Sequence, residues 1–155
     1  MNAMIQLKNI LLPTDFSEPG LEAANYAVEM AERFGATLHL LHVIVDPVIY
    51  LPMFESYPMP SKAEFEQYAQ ERMEGWLTDD DKKRCNAQLH WVHGTPFVEI
   101  INFARENEID LIVMGTHGHG AIAHMLTSSE AEKVVRKAPC PVLTVRPEGH
   151  QFVHP

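Results

Sequence analysis

The sequence predicts an α/β fold, a three-layer sandwich in which a five-stranded, mainly parallel sheet is covered by four helices. Three observations predict it. Short apolar runs alternate with segments whose apolar residues recur at intervals of three and four, the signatures of strand and helix. The run Thr37 to Val45 is nearly continuous in Leu, Val and Ile, as a strand buried on both faces of a parallel sheet requires. The run Leu111-Ile112-Val113-Met114 passes directly into Gly115-Thr116-His117-Gly118, and Ser128-Ser129 follows at a helix start. A strand, a glycine-bearing loop and a helix N-terminus in that order make a place for phosphate. Glycines let backbone N–H groups approach an anion, and the first helical turn leaves unpaired donors at the positive end of its dipole.

Taken in order, Ile10-Leu11-Leu12 is the first strand, ended by Pro13-Thr14-Asp15. Ser17 or Glu18 with Pro19 opens a helix whose apolar face is Leu21, Ala24, Ala27, Val28, Ala31 and Phe34, and Gly35 ends it. Thr37 to Val45 is the second strand. His39 and His42 within it stand an odd number of residues apart, so alternation places them on opposite faces and argues against a shared role. Ala63 to about Leu77 carries Phe65, Tyr68, Ala69, Met73 and Trp76 at helical spacing, with Asp79 to Arg84 as its solvated end. Ala87 to Val92 alternates as the third strand. Thr95 is the expected N-cap of a helix with Pro96 at its first position and Phe97, Ile100, Ile101 and Ala104 on one face. Asp110 to Met114 is the fourth strand. A last helix presents Ala131, Val134, Val135 and Ala138, and Pro141 opens the final strand Val142 to Val145.

The chain of 155 residues, 46% hydrophobic, is long enough for one domain with its own core, and one domain is expected over 1–155. Asp46 to Ser61 is rich in proline yet too apolar for a disordered tether and reads as a flap, while 149–155 is a short tail. A formal charge of -9, from 12 basic against 21 acidic residues, opposes binding to a nucleic-acid backbone, so any phosphate site must be local. Cys85 and Cys140 lack metal-ligand or redox spacing and suit free thiols in a reducing compartment. No signal-like or membrane-spanning window is present, and the expected location is the cytoplasm.

Strict alternation of strand and helix brings ligands to the carboxyl ends of a parallel sheet where strand order reverses. Pro13-Thr14-Asp15, the end of the second strand near Val43, and Gly115 to Gly118 then lie along one edge. Neither Gly-x-Gly-x-x-Gly nor Gly-x4-Gly-Lys-Ser/Thr occurs, which removes support from dinucleotide oxidoreductase and P-loop ATPase readings. His117, His119 and His124 cluster around the loop without a Cys or carboxylate ligand pattern, so no metal site is assigned. Gly-x-Ser-x-Gly is absent, no carboxylate pair can be placed on one face, and no catalytic residue is assigned.

Four stretches carry a family resemblance: Leu-Pro-Thr-Asp-Phe-Ser at 12 to 17, Leu-Leu-His-Val at 40 to 43, Val-Met-Gly-Thr-His-Gly at 113 to 118, and Ala-Pro-Cys-Pro-Val-Leu-Thr-Val at 138 to 145. In this order over nearly the whole chain, they resemble the universal stress protein family. The resemblance implies a Rossmann-like fold of the adenine nucleotide alpha hydrolase-like type, a stress-response role as sensor or adaptor, and homodimers formed through the last strand. In the nucleotide-binding branch the signature is Gly-x2-Gly-x9-Gly-(Ser/Thr). Gly115, Gly118 and Ser129 match it in register, and Ser128 stands where the third glycine belongs.

If the family mode carries over, Asp15 and the backbone of Val43 hold the adenine. Met114, Gly115 and Gly118 pack on ribose and phosphate, Ser128, Ser129 and the N–H groups around Glu130 complete the phosphate grip, and Pro13 and Thr14 shape the near wall. The implied ligand is ATP or AMP, with Mg²⁺ held through the phosphates and at most slow hydrolysis. Ser128 would add a Cβ at a cost of roughly 1 kcal/mol if its φ must be positive. Glu130 places a carboxylate beside the phosphates, unless the capping-box spacing Thr127-x-x-Glu130 turns it toward its own helix end. The alternative is a nucleotide-free dimeric interaction module in which Ser128 and Glu130 close the pocket. In either case a strand at the sheet edge must be covered or paired, and Val142 to Val145 pairing with its copy across a two-fold axis would do so.

Overall fold

A computed structural model describes residues 3–45, 58–116 and 128–146 of the chain, and the structural statements below concern these. The elements are β1 (Asn9–Pro13), α1 (Glu18–Phe34), β2 (Thr37–Ile44), α2 (Lys62–Trp76), α3 (Asp79–Arg84), β3 (Gln88–His93), α4 (Pro96–Glu106), β4 (Leu111–Gly115), α5 (Ser128–Lys137) and β5 (Val142–Val145). One five-stranded sheet has the order β3-β2-β1-β4-β5, and every neighbouring pair is parallel. No helix among the described residues is long and apolar enough to cross a membrane.

Alternation along the strands builds the two cores. Ile10, Leu12, Leu38, Leu40, Leu111 and Val113 join Ala23, Ala27 and Ala31 of α1 and Met73 of α2 in one. Leu11, Leu41, Val43, Ile112 and Met114 join Ile100 and Ala104 of α4 and Ala131 and Val134 of α5 in the other. The three layers expected from the sequence are therefore present. Each fully buried Leu or Ile contributes about 1.5–3 kcal/mol relative to exposure, and the sheet centre is made of little else. The two histidines of β2 do fall on opposite faces. His39 meets Phe103 of α4 at 5.9 Å between ring centres, whereas His42 meets Phe16 at 4.4 Å.

The helices number five in the described residues rather than four. Leu77 is extended and stops α2, and the Thr78 hydroxyl then accepts from the Asp81 N–H at 3.1 Å, starting α3 afresh. Asp79, Asp80 and Asp81 at its start and Lys82, Lys83 and Arg84 at its end complement the helix dipole. Arg84 also bonds to Glu29 and Glu32 of α1, tying the short helix down. Leu21, Phe34 and Val135 are 45%, 47% and 52% exposed, against their expected core role. They lie at the margins of narrow stripes of small residues, which are what meets the sheet.

Asp110 precedes β4 rather than opening it, because its carboxylate accepts from the backbone N–H groups of Lys8 and Asn9 at 2.8 and 2.9 Å. Both cysteines are free, Cys85 in the core under α1 and Cys140 at the edge of the core under α4 and α5.

Gly35 closes α1 in the left-handed region at φ 65°, where Ala36 N–H returns to the Ala31 carbonyl at 2.8 Å. A Cβ there would meet nothing within 4 Å. Gly35→Ala is therefore expected to cost about 1 kcal/mol through backbone conformation alone, read as a lower urea midpoint with an unchanged slope.

Candidate functional site

The strand order reverses at β1, which has β2 on one side and β4 on the other. Pairing with β2 runs the full length of β1, to Pro13–Leu41, and the Thr14 N–H adds a bond to the Leu41 carbonyl at 2.9 Å. Pairing with β4 stops at Leu11–Ile112. Because Thr14 donates toward β2, alternation turns the backbone of residue 13 toward β4. The next rung would need an N–H at position 13 donating to the Val113 carbonyl, and proline has none. Beyond that point the rungs of β4 go to β5, with Gly115 paired to Val145 and Thr116 N–H on the Val145 carbonyl at 2.9 Å. The sheet thus splits between Pro13-Thr14 and Met114-Gly115, at the place where strand order reverses.

The chain leaving β1 is held in a tight turn by its own side chains. The Thr14 hydroxyl accepts from Phe16 N–H at 3.0 Å, and Asp15 Oδ1 accepts from both the N–H (3.0 Å) and the hydroxyl of Ser17. Ser17 stands at the N-cap of α1, yet its hydroxyl serves Asp15 and makes no cap bond. Phe16 is driven to φ 64°, a conformation that costs a side-chain-bearing residue about 1–2 kcal/mol. Its ring is the hub of an aromatic group, 4.4 Å from His42, 6.4 Å from Tyr68 and 5.7 Å from Trp76, with the Arg72 guanidinium 5.5 Å above it. His42 Nδ1–H donates to the Thr14 carbonyl at 2.9 Å, so β2 fixes the turn as well. Burial lowers the His42 pKa below its usual value, partly offset by that bond and by Asp15.

Two hollows flank this turn. On the α2 side a cleft of about 500 Å³ is lined by Asp15, Phe16, His42, Val43, Glu64 and Tyr68, among others. On the α4 side a hollow of about 10 Å³ lies among Pro13, Thr14, Asp15, Val43, Pro96 and Ile100. The first has the size of a small-molecule site and the second has room for about one water.

Glu130 is placed in a way the sequence did not suggest. Its Oε2 accepts from the Phe97 N–H of α4 at 3.1 Å and its Oε1 pairs with Lys133 at 3.1 Å. The carboxylate thus supplies an acceptor to the first turn of α4, where Thr95 stands at the N-cap but makes no side-chain bond. It is drawn toward α4 and its charge is partly met by Lys133.

Of the other expected site residues, Thr14 and Val43 are buried beside the split, and the Met114 side chain belongs to the core under α4 and α5. Ser128 and Ser129 begin α5, with Ser129 exposed. Gly118, His117, His119, His124, Thr127, most of the flap and the tail 149–155 lie outside the described residues. Among the described residues no group of His, Cys, Asp and Glu could hold a metal ion. Phe16, His42, Glu64 and Tyr68 were missed as neighbours of the site. The available signal was Thr14-Asp15-x-Ser17, whose side chains favour such turns.

A model of the universal stress protein family matches residues 6–146. A universal stress protein of Methanocaldococcus jannaschii is 35% identical over 140 residues, covering 90% of this chain and 82% of its own. The solved structure of a universal stress protein from Lactobacillus plantarum is similar with a TM-score of 0.71 at 28% identity, covering 92% of this chain and all of its own. That of Archaeoglobus fulgidus in complex with dAMP gives 0.63 at 21% identity, covering 91% and 98%, and so bears on the fold.

Pro13→Ala restores the missing donor, and its new amide is expected to show hydrogen-exchange protection like that of Leu11. The gained hydrogen bond and the lost stiffness of proline each amount to about 1 kcal/mol or less, so net stability should change little. His42 gives a pH signature. The unfolded chain takes its proton near 6.5 and the folded chain only at lower pH, so the unfolded state binds more protons between the two values. Stability is expected to hold above about pH 7 and to decline as pH falls through 6.5. His42→Asn, which keeps a donor facing Thr14, should make the urea midpoint less pH-dependent.

Proposed function

The chain belongs to the universal stress protein family, and on that premise we propose that it binds an adenine nucleotide, ATP or AMP, across the carboxyl ends of β1, β2 and β4. The split of the sheet at Pro13 is the observation that carries this reading, since it opens a crevice where strand order reverses. The base sits at Asp15 and the backbone of Val43, beside the larger cleft. The phosphates run past Gly115 and Gly118 to the first turn of α5, at Ser128, Ser129 and Glu130. Binding of Glu130 to α4 supports this path, because it directs the carboxylate to another partner. The complex of the Archaeoglobus fulgidus protein with dAMP supports the ligand class.

Mg²⁺ would be held through the phosphates, and the protein acts as a sensor or adaptor in the cytoplasm rather than as a turnover enzyme. It pairs as a homodimer through Val142 to Val145, since β5 is an outer strand of the sheet. A second reading, a nucleotide-free interaction module, is favoured by one observation: the hollow beside Pro13, Thr14 and Pro96 holds only about 10 Å³.

Calorimetry with ATP and AMP separates the two. Binding is expected, and Asp15→Ala should weaken it about tenfold or more through loss of a charged hydrogen-bonding group. Gly118→Val should abolish it with the fold intact. No heat with either nucleotide, and no nucleotide released from the purified protein in mass spectrometry, would favour the second reading.

A further inference from the structure

The cleft on the α2 side has a chemistry of its own. One wall is a single turn of α2, lined by Glu64, Phe65 and Tyr68 and continued by Pro60, with one Glu64 carboxylate oxygen accepting from the Ser61 N–H at 2.6 Å. The facing surface is Phe16, His42 and the end of β2 at Val43, Ile44 and Val45. Asp15 and Glu64 are the acidic residues of this lining, and no lysine or arginine stands among its described residues. Arg72, one turn beyond Tyr68, is drawn over the rings of Phe16 and Tyr68 at 5.5 and 6.0 Å, which braces the wall from its far end. Such a lining disfavours phosphate. It favours a flat, uncharged ring system that presents π faces to aromatic side chains and N–H groups to carboxylates.

We propose that this cleft is the base subsite of the nucleotide site, and that the nucleobase stacks against Tyr68 and Phe65 of α2. The idea rests on the reading of the protein as a nucleotide binder and adds to it an aromatic wall from an element outside the strand ends and the glycine loop. The juxtaposition that carries it is an aromatic cleft, with carboxylates but no lysine or arginine among its described residues, that includes Asp15 and Val43 in its lining, with the N-terminus of α5 reserved for the phosphates. Tyr68 and Phe65 then set affinity for the base and leave affinity for phosphate untouched.

Tyr68 is 56% exposed, so Tyr68→Ala should fold. Adenosine, AMP and ribose 5-phosphate are titrated by calorimetry into the full chain and into Tyr68→Ala, Phe65→Ala and Tyr68→Phe. The wild-type chain should bind adenosine, and AMP more tightly. Tyr68→Ala and Phe65→Ala should each weaken adenosine and AMP by the same factor of about ten, the size of a lost base-stacking contact, and leave ribose 5-phosphate unchanged. Tyr68→Phe should restore wild-type affinity. If the wild type binds AMP and both alanine variants stay within about twofold of it, the aromatic wall is refuted and nucleotide binding stands. If the wild type binds neither adenosine nor AMP, both ideas fall together.

Discussion

One missing hydrogen-bond donor organises this molecule. β1 is the middle strand of the sheet, and its last residue is a proline whose absent N–H faces β4. On the β2 side the ladder continues past Pro13 to Thr14, and on the β4 side it ends at Leu11–Ile112. An unbroken parallel sheet would leave its strand ends flush. Here the end of the sheet is cleft, with Pro13 and Thr14 on one lip and Met114 and Gly115 on the other.

The surroundings hold the two lips of the cleft in place by unlike means. On the β1 side the turn from Thr14 to Ser17 satisfies its own backbone with its own side chains, and the cost of the left-handed Phe16 is offset by packing against His42, Tyr68 and Trp76. On the β4 side Glu130 fastens the start of α5 to the start of α4. The first is a local device of four consecutive residues, and the second is a long-range one.

That difference explains what could be read from the sequence. The strands and the longer helices were legible because periods of two and three to four survive in the apolar residues, and the opposite faces of His39 and His42 followed from alternation alone. The family was legible from short stretches at the strand ends. The cap positions Ser17 and Thr95 were legible too, although neither side chain makes a cap bond and the Ser17 hydroxyl serves Asp15 instead. The bond from Phe97 to Glu130 across 33 residues and the approach of Tyr68 to Phe16 depend on tertiary packing. No local pattern encodes them. The separate start of α3 at Thr78 was readable in principle, since Thr followed by three acidic residues is a helix-opening pattern.

The two rungs between β1 and β4 have a mechanical meaning as well. They make this seam the weakest line in the sheet, with β3, β2 and β1 as one plate and β4 and β5 as another. α1 packs against β1 and β4 together, its small residues sharing a core with Ile10 and Val113, so it acts as a splint laid across the seam. The alanines of α1 thereby acquire a second duty. Besides filling space they set the angle at which the two plates meet, and a larger side chain at Ala27 would be felt as a change of hinge angle before it was felt as a loss of core.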